Sequence, residues 1–471
     1  MKKKLVSIIL CMVMVFSILS LGACSGNKAD TKEPDATEAV ADKDAAPASG
    51  DTQETPSDSS AEKTHLTFMG WGNDAEVATF QAMIDQFETA YPNVEVEYIV
   101  VPATDYMVKL QAMISSGTQP DVFYCNPDYI MQLAMTGNLY DMTDYVASND
   151  LFKEDNVWAS ALDFYRFDGT NVNVGNIYAL PKDVSAFAIV YNKDLFASAG
   201  ITAPTKEQPW DWNQYLEAAQ KLTSGEGDNK IFGTAPYSLE SAIWSNGADW
   251  LDSTYTKMTI DTPEFIEALQ WCADLRTKYK VAPSVSEEGS LGSYDRFMQG
   301  KLGMMGVGSW ATADLWSKCD FDWDLMAWPV SPNTGKNAVW YGGSGLAVAA
   351  TSKNVDAACN LAAFLAFNEE TQRTSYKAGQ SVPTLKDMAY GEYLEMDAKP
   401  ANKEAFLDIL GGYGRRATQT FTFSTEWFSD FNSGVNSVFE GETTAQEFCT
   451  SVKDDLQSLL DASIEQKEAL K

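Results

Sequence analysis

The chain has 471 residues, with 66 acidic side chains against 34 basic ones and a formal net charge of -32. That balance argues against nucleic acid or an anionic lipid surface as a partner. A single histidine, His65, leaves no Ser-His-Asp or Cys-His catalytic set and no histidine-rich zinc site.

Lys2, Lys3 and Lys4 open the chain, and an almost unbroken apolar run follows from Leu5 to Leu21. The run is short for a membrane span and closes in Leu21-Gly22-Ala23-Cys24. This arrangement resembles the lipobox of bacterial lipoproteins. The resemblance implies a signal peptide over 1–23 and a lipid on Cys24, which would hold the chain on the extracytoplasmic side of the cell membrane. After Cys24 the composition shifts to Ala, Asp, Glu, Thr, Ser and Pro with almost no large apolar side chain. Such a segment cannot bury enough surface to offset its ordering entropy, so 24–64 reads as a flexible acidic tether.

From His65 onward strand and helix signals alternate. His65 to Met69 reads as a strand that stops at Gly70-Trp71-Gly72. Val77, Phe80, Ile84, Phe87 and Tyr91 keep helical spacing until Pro92. Val94 to Val101 alternates as a strand, Met107, Leu110 and Ile114 mark a helix ended by Gly117, and Pro120 to Tyr124 is a third strand. This rhythm predicts an α/β fold with a mainly parallel sheet covered by helices. In such folds ligands gather on the loops beyond strand ends. Further on, 177–180 and 187–191 read as strands, 212–222 and 263–279 as helices, and 448–460 as a terminal amphipathic helix. The length from residue 65 supports two lobes. Cys125, Cys272, Cys319, Cys359 and Cys449 have no CxxC spacing and read as free thiols, the apolar-flanked ones buried.

No phosphate-binding glycine loop or dinucleotide fingerprint occurs, and the glycines of Gly303-Met304-Met305-Gly306-Val307-Gly308 read as close backbone packing. No cofactor or metal is expected. What stands out is the aromatics at strand ends. Trp71 follows the first strand and Tyr129 the third, while Trp244, Trp310, Trp340 and Tyr341 stand beside Asn, Gly or Ser. Flat rings cover the C–H faces of sugars, and carboxylates and amides bond the hydroxyls; the same rings also serve as core filler.

The segment from Asn176 to Phe196, NIYALPKDVSAFAIVYNKDLF, resembles the signature of bacterial extracellular solute-binding proteins of family 1, which includes the maltose-binding type. Pro120-Asp121-Val122, the run Phe297 to Met305 with Trp310 after it, and Tyr341 to Leu346 follow as further landmarks. The resemblance implies a two-lobed periplasmic-binding-protein-like fold with a hinge and an interlobe ligand cleft. It implies an N-lobe of 65–160 with 326–378 and a C-lobe of 161–325 with 379–471. It places Trp71, Asn73, Asn126, Asp128 and Tyr341 on the first lobe's rim, and Asp183, Phe187, Trp244 and Trp310 on the second. Tyr129, Trp340, Gly343 and Ser344 join them as ligand-site candidates. Lys182 stands where the family usually has an apolar residue, and is expected to reach the cleft and bond a hydroxyl or an acidic group.

The function implied is capture of a carbohydrate, an oligosaccharide, by a monomer that delivers it to the permease subunits of an ABC importer. Two other readings stay open: a binder of a peptide, polyamine or organic acid, and a glycoside hydrolase using a carboxylate pair such as Asp128 and Asp183.

Overall fold

A computed structural model describes residues 63–471. The expected signal peptide, Cys24 and the tether as far as Glu62 lie outside the described residues. In chain order the strands are β1 (Thr64–Gly70), β2 (Val94–Val100), β3 (Val122–Cys125), β4 (Arg166–Phe167), β5 (Asn176–Ile177), β6 (Ala179–Pro181), β7 (Ser185–Asn192), β8 (Phe232–Thr234), β9 (Leu302–Gly308), β10 (Trp323–Met326), β11 (Val339–Gly342), β12 (Gly345–Val348) and β13 (Gly414–Arg415). The early helices are α1 (Asp74–Ala90), α2 (Ala103–Ser116) and α3 (Pro127–Met135).

Two main sheets form. The first has the order β2-β1-β3-β12-β6, and the second β13-β11-β7-β9-β8, with β10 also paired to β7. In the first sheet β1 lies parallel to β2 and β3, each linked by a helix as the sequence rhythm predicts. The α1 helix begins where Asn73 accepts a hydrogen bond from the Glu76 amide at 2.9 Å, and Phe80, Met83, Ile84 and Phe87 bury its inner face. The α2 helix ends at Gly117, whose φ of 70° is the left-handed conformation that glycine takes at a helix end.

The rest is less parallel than expected. β12 runs antiparallel to both β3 and β6, and β7 runs antiparallel to β9, β10 and β11. The cause is the path of the chain. It leaves the first sheet at the end of β6, enters the second at β7 after only Lys182, Asp183 and Val184, and returns from β11 to β12 through Gly343 and Ser344. A third passage lies beside the first, where Val184 bridges Val382. β6 therefore belongs to the first sheet and β11 to the second, opposite to the division expected at 160/161 and 325/326. Apolar strand patterns look alike on both sheets, so the sequence carries no mark of where the chain crosses.

Buried aromatics such as Trp250, Trp323, Trp328 and Trp427 fill the core. Cys125, Cys272, Cys359 and Cys449 are buried free thiols and Cys319 is half-buried. The last helix, Ala445–Glu468, starts in a capping box between Thr444 and Glu447. No helix among the described residues is long and apolar enough to cross a membrane.

Candidate functional site

A cavity of about 370 Å³ opens at the crossovers. The end of β1 supplies Trp71, the start of α3 supplies Asn126 and Asp128, and the first crossover supplies Lys182 and Asp183. Trp340, Tyr341, Gly343 and Ser344 come from β11 and the second crossover, and Trp310 from the turn after β9. The two crossovers are tied together. The Lys182 amide donates to the Ser344 carbonyl at 2.9 Å, and the Ser344 amide donates to Asp183 Oδ1 at 3.2 Å. Ser344 Oγ donates to Asn126 Oδ1 at 3.4 Å, which links the seam to α3.

The aromatic wall has a defined geometry. Trp71 stands edge-on to Tyr106 and Tyr124, with centroids 4.5 and 5.0 Å away. Phe187 stacks between Trp310 at 6.3 Å and Trp328 at 5.7 Å. Trp340 stands edge-on to both Trp310 and Phe187, at 6.0 and 6.2 Å. The register of β9 against β7 explains the glycine run. Gly308 pairs with Phe187 and Gly306 with Ile189, and a Cβ at either glycine would overlap the Trp310 or Phe187 ring. Gly306 and Gly308 thus make room for the wall itself, while Gly303 is close backbone packing against the Gly233 carbonyl, as the sequence suggests.

A second cavity of about 410 Å³ continues the first. Trp340, Ala417 and Gln419 line both. Phe187, Tyr294, Trp328, Glu240 and Glu288 line only the second.

Charge is concentrated at two points. Lys182 is only 6 % exposed, with Nζ 2.6 Å from Glu76 Oε1 and 2.7 Å from Asp183 Oδ2. Lys182 thus reaches the cavity wall as expected, and the acidic groups its ammonium bonds are the protein's own Glu76 and Asp183. Burial by itself would lower its pKa; Asp183 and Glu76 outweigh that and hold it above the usual lysine range. At the other end, burial pushes the Asp128 carboxyl up to about 6, against the opposing pull of Arg416. Arg416 is itself buried, donates from Nε to Thr420 Oγ1 and from a terminal nitrogen to Asn173, and burial brings its pKa down to about 10.

Three expected residues lie elsewhere. Asn73 is exposed and its side-chain oxygen caps α1. Tyr129 packs against the core beside Asp128 without lining either cavity. Trp244 is 5 % exposed, donates from Nε1 to Asp249 Oδ1 at 3.3 Å, and has the Arg415 guanidinium 4.8 Å above its ring. The helix Leu239–Ser245 turns it into the core, away from both cavities. Conversely, Glu76, Phe164, Ser185, Gln419 and Thr420 line the first cavity and were not singled out by the sequence. Glu76 reads in sequence as an acid in the first turn of a helix, and Phe164 and Gln419 fall in stretches without periodic signal.

Among the described residues no group of three or more His, Cys, Asp or Glu could hold a metal ion. The site is one of flat rings and hydrogen-bonding groups around a recess between two sheets.

Comparison with known proteins agrees with this architecture. A binding protein of Brucella abortus (strain 2308) is 26% identical over 335 residues, 70% of this chain and 78% of the relative. The galactooligosaccharide-binding protein of Bacillus subtilis (strain 168) is 24% identical over 307 residues, 63% of this chain and 68% of the relative. The solved ABC substrate-binding protein from Listeria monocytogenes in complex with cycloalternan is 26% identical, with a TM-score of 0.75 over 85% of this chain and 99% of that one. The family model for the bacterial extracellular solute-binding protein matches residues 71–372. The chain belongs to the bacterial extracellular solute-binding proteins.

Proposed function

We propose that this protein captures an oligosaccharide between its lobes and delivers it to the permease of an ABC importer, held outside the cytoplasm by a lipid on Cys24. The observation that carries this reading is that Trp71, Trp310 and Trp340 line one cavity together with Asp128 and Asp183. Rings offer apolar faces to a sugar's C–H surface, and the carboxylates accept its hydroxyl hydrogen bonds. Two joined cavities of about 370 and 410 Å³ favour a chain of several sugar units over a single one. The galactooligosaccharide-binding relative and the neighbour solved with cycloalternan support the same class of ligand. Ligand touching both lobes would favour a closed state only by its greater affinity for that state.

A hydrolase reading draws on one observation, the Asp128 carboxyl raised to about 6, as a general acid would need. Asp183, its partner in that reading, has one oxygen bound by Lys182 and the other by the Ser344 amide. We therefore favour binding without turnover. A panel of malto-, galacto- and arabino-oligosaccharides, read by thermal shift, tests the reading, because a ligand that binds only the native state raises its apparent stability. A stabilising glycan that is recovered intact supports it. Hydrolysed glycan, or a shift only with peptides, polyamines or organic acids, refutes it. Loss of lipid labelling and membrane retention in Cys24→Ser tests the anchor.

A further inference from the structure

The most deeply buried cation touching the first cavity, Lys182, has its ammonium 4.9 Å and 4.8 Å from the ring centroids of Phe80 and Tyr124, under Glu76 and Asp183. The three charges come from two separate pieces of chain. Glu76 lies in the first turn of α1, and Lys182 and Asp183 form the first crossover. Both carboxylates line the cavity. Glu76 uses Oε1 for the ammonium and keeps Oε2 out of the ion pair; Asp183 uses Oδ2 for the ammonium and Oδ1 for the Ser344 amide.

An ion group this buried is a poor source of net stability, since desolvation offsets most of the attraction. Its physical consequence lies elsewhere. Two carboxylates sharing one ammonium are held fixed relative to each other. Without the ammonium they become like charges at close range in a desolvated pocket, and the pair then holds on to a proton. A protonated carboxyl loses acceptor capacity, and a repelled pair loses its geometry.

We propose that Lys182 is a positioning residue of the binding site. Its ammonium holds Glu76 and Asp183 together, across the seam between α1 and the first crossover, as a joint acceptor for neighbouring donors at one end of the ligand. That the donors are sugar hydroxyls rests on the function proposed above; the charge arrangement does not.

The test uses the whole chain with Lys182→Met, alone and combined with Glu76→Gln. The probes are maltotriose, maltotetraose and a galactotriose, titrated at about pH 8, where Asp128 is ionised. Lys182→Met is expected to weaken binding about tenfold or more. Adding Glu76→Gln removes the repulsion, so thermal stability at that pH returns toward wild type while affinity stays low. A purely structural lysine predicts that both recover. Binding within about threefold of wild type in either variant overturns the proposal.

If the wild type binds none of the probes, the carbohydrate reading falls and a ligand-free measurement still decides this one. Relative to wild type, Lys182→Met should lose stability as the pH rises from about 5 to about 8, because its folded state holds a proton that the unfolded chain has released. Glu76→Gln in the same chain should abolish that slope. The other titratable groups facing the pair are the Tyr98, Tyr124 and Tyr165 phenols, all pushed further above 10.0 by burial, so they do not titrate in this window. A Lys182→Met chain whose stability follows the wild-type pH profile overturns the proposal.

Discussion

Gly308 lies beneath the Trp310 indole, so close that a Cβ on the glycine would overlap the ring. The Gly308 backbone has φ -83°, which any residue adopts, so the constraint is space and not conformation. Gly308→Ala should therefore tilt the half-buried indole toward the cavity and weaken oligosaccharide binding by about 1–2 kcal/mol, with a smaller change in folding stability. Calorimetric titration against maltotetraose checks this. An unchanged affinity would mean that the ring does not meet ligand in the orientation described.

Asp128 links the site to pH. In the folded chain its carboxyl titrates at about 6, against an ordinary value of 3.8. Between these values the folded state holds the proton and the unfolded state does not, so stability falls as the pH rises through the window. Asp128→Asn should remove that slope and stabilise the neutral-pH protein by about 1–3 kcal/mol. Affinity should behave oppositely. Donors on the ligand favour the ionised carboxylate, so wild-type binding weakens on acidification below about pH 6 and the Asn variant is weak and flat there. Denaturant unfolding and titration across the pH range read both; parallel profiles for the two proteins would contradict the assignment.

Glu240 lines the second cavity and not the first. Glu240→Gln replaces a charged acceptor by a neutral one and should cost a tetrasaccharide about 1 kcal/mol while leaving a disaccharide's affinity unchanged. Equal losses for both lengths would show that the ligand does not run from one cavity into the other.

Trp244 offers a control of opposite kind. Buried beside Trp250 and bonded to Asp249, it should behave as core: Trp244→Ala is expected to cost about 3–5 kcal/mol of folding stability. Oligosaccharide affinity, measured where the variant is folded, should match wild type. A loss of affinity without a loss of stability would return Trp244 to the site.

The first third of the fold was open to reading from sequence because each element there carries its own punctuation. Pro92 and Gly117 end helices, and Phe80, Ile84 and Phe87 keep one helical face. The crossovers were not, because Lys182–Val184 and Gly343–Ser344 are defined by which sheet the flanking strands join, a long-range property. The same contrast holds in the site. Trp71, Trp310, Asn126, Asp128, Asp183, Gly343 and Ser344 stand just beyond strands or at the start of a helix, Trp340 and Tyr341 lie within the short β11, and all nine line one cavity. Trp244 carried the same local signal, an aromatic beside Asn and Ser, and went to the core instead. Lys182 reached the cavity wall, but its charge is spent on Glu76, a partner 106 residues away that local sequence does not announce.

The most direct test of the central claim is calorimetric titration of the whole chain, wild type and Trp310→Ala, with maltotetraose and a galactotetraose, paired with denaturant unfolding of both proteins. Saturable binding of at least one glycan by wild type, weakened by about 1–3 kcal/mol in Trp310→Ala with near-native folding stability, is the predicted result. The contradicting result is Trp310→Ala binding as tightly as wild type while losing about 3–5 kcal/mol of stability, which would make the indole a core residue and remove the aromatic wall from the binding site.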